Sequence, residues 1–257
     1  MRSMADFDLT GRVALVTGAS RGLGRHFAGV LAQAGASVVL AARDESRLAE
    51  AAAEIGKTAG KIVALPLDVT DGKSVRQCFS AAEAALGPVD ILVNNAGIAV
   101  SKPLLEHSEE DWDRVLDTNL KGAWLMSREA ASRWIALRRR GRIVNISSLL
   151  ALRTIRNVPS YTAAKAGLDH LTRTLAVERA RFGVTVNAIA PGYVETDMNR
   201  GFLQSETGRA LIARIPTGRV GAPEDLDGAL LLLASDAGAY LNGVVLPVDG
   251  GHAVSVV

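Results

Sequence analysis

The chain has 257 residues, 48% of them hydrophobic, which is enough for one large α/β domain with a full core. Its 29 basic and 27 acidic residues leave a net charge of +2, and this balance excludes the broad positive surface of a nucleic-acid-binding protein. No stretch rich in proline or serine divides the chain, so we expect a single domain over residues 1–257.

Short β-rich runs alternate with longer helical patterns along the chain. In chain order, the predicted elements are strand 12–18, helix 23–35, strand 37–42, helix 45–56, strand 62–69, helix 74–87, strand 89–97, helix 109–138, strand 142–148, helix 161–183, strand 184–192 and strand 243–251. Strands that are apolar throughout and separated by helices are typical of a parallel sheet covered on both faces. The predicted fold class is therefore α/β, a doubly wound (Rossmann) parallel sheet.

Two helix ends carry polar residues that need an interpretation. Helix 109–138 is predicted to be continuous despite Gly122, and it runs into the basic stretch RRRGR at 138–142. We interpret this stretch as a helix C-terminus whose cations face the negative end of the dipole, in preference to a polyanion site. After strand 37–42, Asp44 stands where the N-cap of helix 45–56 belongs.

A glycine-rich turn, TGASRGLG at 17–24, directly follows the first strand and opens the first helix. Strand, glycine turn and helix in that order are the context that a phosphate-binding turn requires. Gly18 permits the tight turn, Gly22 lets the backbone approach a pyrophosphate, and Gly24 lets the helix pack on the strand. A glycine-rich turn without a ligand is also an ordinary structural feature, so this motif alone does not establish a function.

Six motifs follow one another over nearly the whole chain. They are TGASRGLG at 17–24, NNAG at 94–97, Asn119, Ser148, YTAAK at 161–165 and PGYVET at 191–196. In order and spacing they resemble the short-chain dehydrogenase/reductase family. The resemblance implies a seven-stranded parallel sheet with a nicotinamide dinucleotide across its carboxyl edge. It also implies an oxidoreductase that transfers a hydride between this cofactor and a ketone or secondary alcohol.

Tyr161 and Lys165 are four residues apart in a helical segment, so their side chains share one face. Ketone reduction needs a proton donor for the forming alkoxide, and a tyrosine with a pKa near ~10 is a poor one at neutral pH. A nearby ammonium would favour the phenolate and lower this pKa. The resemblance implies that Ser148, with Ser147 as a lesser candidate, hydrogen-bonds the substrate oxygen. It also implies that Asn119 holds a water on a proton relay through Lys165.

The resemblance also assigns the cofactor contacts. They extend from the glycine turn through the strand ends to the segment beside the nicotinamide. The predicted cofactor-binding residues are Gly18, Ser20, Arg21, Gly22, Leu23, Gly24, Arg43, Asp68, Val69, Asn95, Ala96, Gly97, Tyr161, Lys165, Pro191, Gly192, Val194 and Thr196.

The choice between NAD(H) and NADP(H) depends on the residues after the second strand. The family's ribose-binding acid falls on Ala42, which has no carboxylate, while Asp44 is accounted for as a helix cap. The resemblance places Arg21 and Arg43 beside the adenosine 2′ position, and two guanidiniums without a competing acid suit a 2′-phosphate. We therefore predict NADP(H).

The substrate is less well determined than the cofactor. In this family the pocket walls come from the segment after Ser148 and from a loop at about 193–215, and the candidate substrate contacts are Ser148, Leu150, Arg153, Tyr193 and Met198. The apolar members suit an acyl chain, as in 3-oxoacyl thioester reductases. Arg153 and Arg156 would suit a sugar acid, as in gluconate-type dehydrogenases, or they belong to the solvated surface. A third hypothesis is a non-catalytic NADP(H)-binding regulator, against which the Tyr161 and Lys165 pair argues.

Other features limit the setting in which the protein works. Cys78, the one cysteine, cannot form an internal disulfide, and it is expected to be a buried helical thiol. No Cys/His cluster has metal-ligand spacing, so no metal is predicted. The absence of a signal peptide or of an apolar run near ~20 residues predicts a cytoplasmic protein without a membrane segment. Helices 109–138 and 161–183 are apolar around much of their circumference, and family members pair through them, so a homotetramer is expected.

Overall fold

The computed structural model describes residues 7–57, 60–195 and 200–255. Seven strands form one parallel sheet in the order β3-β2-β1-β4-β5-β6-β7. They are β1 Val13–Thr17, β2 Ser37–Ala42, β3 Ile62–Pro66, β4 Ile91–Asn94, β5 Gly141–Ile146, β6 Val184–Pro191 and β7 Val245–Val248. The predicted doubly wound, seven-stranded parallel sheet is confirmed.

Nine α-helices lie within the described ranges. They are α1 Gly22–Gln33, α2 Glu45–Ile55, α3 Gly72–Leu86, α4 Glu109–Leu116, α5 Gly122–Ala136, α6 Pro159–Arg179, α7 Arg200–Gln204, α8 Glu206–Ile212 and α9 Asp227–Ala234. Helices α7 to α9 have no counterpart among the elements predicted from the sequence. None of the described helices is long and apolar enough to cross a membrane.

The sheet is the middle layer of three, because successive strand residues point to opposite faces. On one face, Val16 belongs to a buried cluster with Phe27 of α1 and with residues of α2 and α9. On the other face, Leu15 belongs to a cluster with Phe79 of α3 and Met126 of α5. The strand order reverses between β1 and β4, and an open crevice at the carboxyl ends of such strands is where this fold binds ligands.

Three strands are shorter than predicted by three residues or more, and for one of them a local turn after the strand explains the difference. The predicted strand 62–69 ends at Pro66, and 89–97 and 243–251 shorten to Ile91–Asn94 and Val245–Val248. After Pro66, the Asp68 carboxylate accepts hydrogen bonds from Thr70 N at 2.9 Å and Thr70 Oγ1 at 2.7 Å. This turn carries the chain away from the sheet.

The chain is helical without a break from Glu109 to Ala136, as predicted for 109–138, but it differs from the prediction in two details. A π-helical turn, Asp117–Lys121, separates α4 from α5, and a Cβ at Gly122 would lie 2.7 Å from Val69 Cγ2. Helix α5 then ends at Ala136, before the basic stretch 138–142. Within that stretch, Arg139 donates to Asp90 at 2.6 Å, and Arg142 to Asp236 at 2.7 Å. Arg138 N and Arg139 N bond the last carbonyls of α5, those of Ile135 and Trp134, so the basic stretch begins at the helix C-terminus as interpreted, and two of its arginines also pair with carboxylates of neighbouring loops.

Candidate active site

The glycine turn lies at the carboxyl end of β1, beside the end of β4. Gly18 has φ +66°, and a Cβ there would lie 2.9 Å from Ala96 Cα. A Cβ at Gly24 would lie 2.3 Å from Gly18 O, so this position requires glycine for the close packing of α1 on the turn. Gly22, with φ +54°, faces open space, and no side chain caps the start of α1. The first amides of α1 are thus available to an anion.

Thr17 joins this turn to the NNAG segment. Its hydroxyl accepts hydrogen bonds from Asn95 N at 3.0 Å and from Ala96 N at 2.9 Å. In return, Asn95 Nδ2 donates to Thr17 O at 2.9 Å. These bonds fix the two crevice loops against each other, with Gly18 at their point of closest approach. The predicted cofactor residues Asn95, Ala96 and Gly18 are therefore brought together.

The end of β2 carries the charges that bear on the cofactor. The strand ends at Ala42, and Asp44 Oδ1 accepts a hydrogen bond from Arg47 N at 3.1 Å, so Asp44 is the N-cap of α2, as predicted. Arg21 and Arg43 are exposed, and neither guanidinium forms an ion pair within the described part of the chain. Arg43 is nevertheless close enough to Asp68 for its charge to favour the ionised carboxylate. Two cations thus flank a strand end that has no acid of its own.

The π-helical turn places Asn119 below the NNAG segment. Asn119 is 1% exposed, and its carboxamide pairs with the backbone of Ile98, accepting from N and donating to O at 2.8 Å each. A Cβ on Gly97 would lie 3.3 Å from Asn119 Oδ1 and 3.6 Å from Lys165 Nζ, so the two side chains converge on one point. These two bonds hold the carboxamide against the backbone of Ile98, at the edge of the site.

Lys165 lies on the buried face of α6, one turn after Tyr161. Its Nζ donates to Ile146 O, at the end of β5, at 2.7 Å, and it lies 5.7 Å from the centroid of the Tyr161 ring. Burial lowers the pKa of Lys165 to about 8, while the charge of Asp169 opposes this shift. Tyr161 and Lys165 therefore share one helix face, as their spacing predicts.

The pKa of Tyr161 depends on burial and on the groups around it. Burial raises the pKa of Tyr161, and the hydroxyl of Ser148 opposes the change without reversing it. Removal of the phenol from water thus dominates in the structure, and the lowering expected from the Lys165 ammonium and a nicotinium in the oxidised complex stays a prediction. Ser148 Oγ accepts a hydrogen bond from Leu150 N at 3.1 Å, which leaves its own proton to donate.

The far side of the site is built by the ends of β6 and β7. Gly192 N donates to Val248 O at 2.9 Å, and a Cβ at Gly192 would lie 2.7 Å from Asp249 Cα. Val194 is 6% exposed and forms a bridge to Gly221. Two predicted site residues, Thr196 and Met198, lie outside the described residues.

The turn at 251–255 contacts two of the predicted substrate residues. Arg153 donates from Nε to Ala253 O at 2.6 Å and from a terminal nitrogen to Ser255 O at 3.0 Å. The ring of Tyr193 lies 5.8 Å from that of His252, and burial raises the pKa of Tyr193. The Nδ1 atom of His252 is buried without a hydrogen-bond partner among the described residues. The turn thus lies between the loop after Ser148 and the segment after β6.

Sequence reasoning missed three polar residues of this region. Thr17 lay inside the glycine motif, where its hydroxyl had no evident partner in the sequence. Asp169 and His252 carried weak local signals: an acid one helical turn after Lys165, and a histidine directly after the paired glycines at 250 and 251. In the described ranges, no group of three or more His, Cys, Asp or Glu residues is arranged to hold a metal ion.

Comparisons with known proteins agree with this geometry. A family profile described as "Enoyl-(Acyl carrier protein) reductase" matches residues 18–253. The chain is 40% identical over 250 residues to a 2-dehydro-3-deoxy-D-gluconate 5-dehydrogenase of Escherichia coli, covering 96% of this chain and 98% of the relative. It is 41% identical over 244 residues to a 3-oxoacyl-(acyl-carrier-protein) reductase of Vibrio cholerae, covering 95% and 98%. The crystal structure of a gluconate 5-dehydrogenase from Burkholderia cenocepacia, in complex with NADP and tartrate, superposes with a TM-score of 0.94 at 35% identity, covering 99% and 100%.

Proposed function

The chain belongs to the short-chain dehydrogenase/reductase family of oxidoreductases, and on that premise we propose that it interconverts a ketone and a secondary alcohol with NADP(H). The observation that carries this proposal is the convergence of Tyr161, Lys165 and Asn119 at the carboxyl edge of the sheet, beside an uncapped helix start. Acid–base residues and an anion-binding turn in one crevice are the parts that a dinucleotide-dependent reductase needs.

The residues at the adenosine end fit NADP(H). Ala42 offers no carboxylate to a free ribose 2′-hydroxyl, and Arg21 and Arg43 offer two exposed guanidiniums to a 2′-phosphate. The NADP in the Burkholderia cenocepacia structure supports this choice. When bound, the cofactor would supply or accept the hydride at its nicotinamide, beside Pro191 and Gly192.

The chain's own residues would hold and move the proton. Tyr161 is the group proposed to protonate the substrate oxygen in reduction, with Ser148 donating a second hydrogen bond to the same atom. Because burial raises the pKa of Tyr161, the phenol is protonated in the free protein. For efficient proton transfer, a positive charge beside it in the complex, from Lys165 or the oxidised nicotinamide, would have to lower that pKa. Lys165, held at Ile146 O, lies 5.7 Å from the centroid of the Tyr161 ring and close to the Asn119 side chain, and a water bound there could return the proton.

Two substrate classes agree with the walls of the site. The first proposed class is a 3-oxoacyl thioester, because the segment 149–155 is largely apolar and exposes Leu152 and Ile155. The second is a sugar acid or polyol, and the specific observation in its favour is His252, a partly exposed imidazole beside Tyr193 that could bind a substrate hydroxyl or carboxylate. Both classes are represented among the relatives.

The experiment is a panel of carbonyl substrates followed by NADPH absorbance. It would compare a 3-oxoacyl thioester, a keto sugar acid and a neutral ketone of similar size, each with wild type and with Tyr161→Phe. We expect turnover with at least one substrate, lost in Tyr161→Phe while NADPH binding is kept. Binding of NADPH without turnover of any ketone would instead support a regulator.

We also propose that the protein is a homotetramer. Helices α5 and α6 leave an apolar groove of about 570 Å³ on the surface. Its lining includes Leu120, Trp124 and Leu171, and Trp124 is 39% exposed. A surface tryptophan in an apolar groove supports an interface between subunits.

A further inference from the structure

Asp169 is a buried acid that the proposed mechanism does not use. It lies on α6, one turn after Lys165, with 3% of its surface exposed. Neither carboxylate oxygen has a hydrogen-bond partner of good geometry among the described residues. A buried carboxylate without hydrogen bonds is strongly unfavourable unless a nearby charge compensates for it, so this position needs a physical explanation.

Three groups face this carboxylate. Lys165 and Arg173 lie one turn before and one turn after it on α6, and the hydroxyl of Ser147 approaches from the end of β5. Ser147 is 4% exposed, and its Oγ lies near enough to stabilise the ionised carboxylate without meeting the geometry of a full hydrogen bond. Asp169, Ser147 and Lys165, which is itself 4% exposed, therefore form a buried polar cluster.

The charges in this cluster depend on one another. Burial raises the pKa of Asp169, and Ser147, Arg173 and Lys165 all oppose this change. Burial also lowers the pKa of Lys165, and Asp169 is the group that opposes it. Each group therefore favours the ionised form of the other in a place where burial favours the neutral forms.

We propose that Asp169 is a positioning residue that supplies the counter-charge for Lys165, so that Lys165 stays an ammonium with its Nζ directed at Ile146 O. This inference rests on the role proposed for Lys165. If the negative charge is removed, the buried ammonium loses its stabilising partner and releases its proton at a lower pH. Reduction requires a protonated Tyr161 and Lys165 pair, so activity should then fail earlier as the pH rises.

The test compares Asp169→Asn and Asp169→Glu with wild type. Thr172→Val is the matched control, because Thr172 is fully buried on the next turn of α6 and bonds Asn145 at 2.8 Å but carries no charge. In Asp169→Asn, we expect the alkaline limb of the kcat/KM profile for ketone reduction to move to lower pH by about one unit. Asp169→Glu should restore part of the shift, and Thr172→Val should leave the limb in place.

A second readout needs neither substrate nor cofactor. Heteronuclear NMR of the Lys165 ε-carbon, assigned by comparison with Lys165→Met, follows the titration of the amine across a pH range and needs no reagent to reach it. In Asp169→Asn, the amine should titrate at lower pH than in wild type, and Asp169→Ser replaces this variant if Asn prevents folding. An unchanged titration in either neutral variant, with a lowered Tm alone, would show that Asp169 is structural and overturn the proposal. Since this titration is independent of turnover, failure of the proposed enzyme activity would not be mistaken for this result.

Discussion

Replacing Arg43 should separate the two nicotinamide cofactors. Arg43 is exposed and has no ion pair in the described part of the chain, so its guanidinium can meet a 2′-phosphate, but solvent and salt screen the contact. We take about 1 kcal/mol for each of Arg21 and Arg43, below the ~1.5–3 kcal/mol of a less exposed charged hydrogen bond. Together this gives about 30-fold higher kcat/KM with NADPH than with NADH, and at least about tenfold if the arginine contributions overlap.

Initial rates with each cofactor at fixed ionic strength provide the assay. Arg43→Ala should lower kcat/KM with NADPH about fivefold and leave the value with NADH unchanged, because NADH has no phosphate to lose. Adding Ala42→Asp should place a carboxylate at the end of β2, repel the phosphate and shift the preference towards NADH. Arg47→Ala is the matched control, since Arg47 is also exposed but pairs with Asp44 at 3.4 Å.

The Asp44→Ala variant tests whether Asp44 caps a helix or binds the cofactor ribose. As the N-cap of α2, its replacement by alanine should cost about 0.5–2 kcal/mol of stability and leave the cofactor preference unchanged. If the wild type prefers NADH and Asp44→Ala abolishes that preference, Asp44 is the ribose acid and the argument from Ala42 is refuted.

Three further changes test the rest of the site. Tyr161→Phe should lower kcat by roughly 10²–10⁴-fold and retain NADPH affinity, and near-normal turnover would show that Tyr161 is not the acid. Lys165→Ala should lower both kcat and NADPH affinity. His252→Phe keeps an aromatic ring beside Tyr193 but removes the polar ring nitrogens, so KM for hydroxylated or acidic substrates should rise with kcat nearly constant. An equal rise for neutral ketones would argue against a polar contact. Trp124→Glu should dissociate the tetramer in light scattering, and a wild type that is already monomeric at micromolar concentration would contradict the proposed interface.

The sequence by itself determined the features that depend on neighbours along the chain. Alternating apolar runs and helical patterns predicted the parallel sheet, because strand and helix periods are local properties. The same holds for the end of β2 at Ala42, for Asp44 as a cap, and for Tyr161 and Lys165 on one helix face.

The tertiary structure decided the features that join distant segments. Helical periodicity continues through Asp117–Lys121, so no local pattern announces the π-helical turn; its Asn119 bonds Ile98, 21 residues away. The sequence allows Arg153 to be an anion-binding or a surface residue, and only the structure shows its hydrogen bond to Ala253, 100 residues further along. Asp169 faces Ser147 across the boundary between a helix and a strand end, and its unpaired oxygens exist only once both are buried. These residues gain their hydrogen-bond partners and lose contact with water only when the sheet brings separate strand ends to one edge. No local sequence pattern predicts which residues then meet.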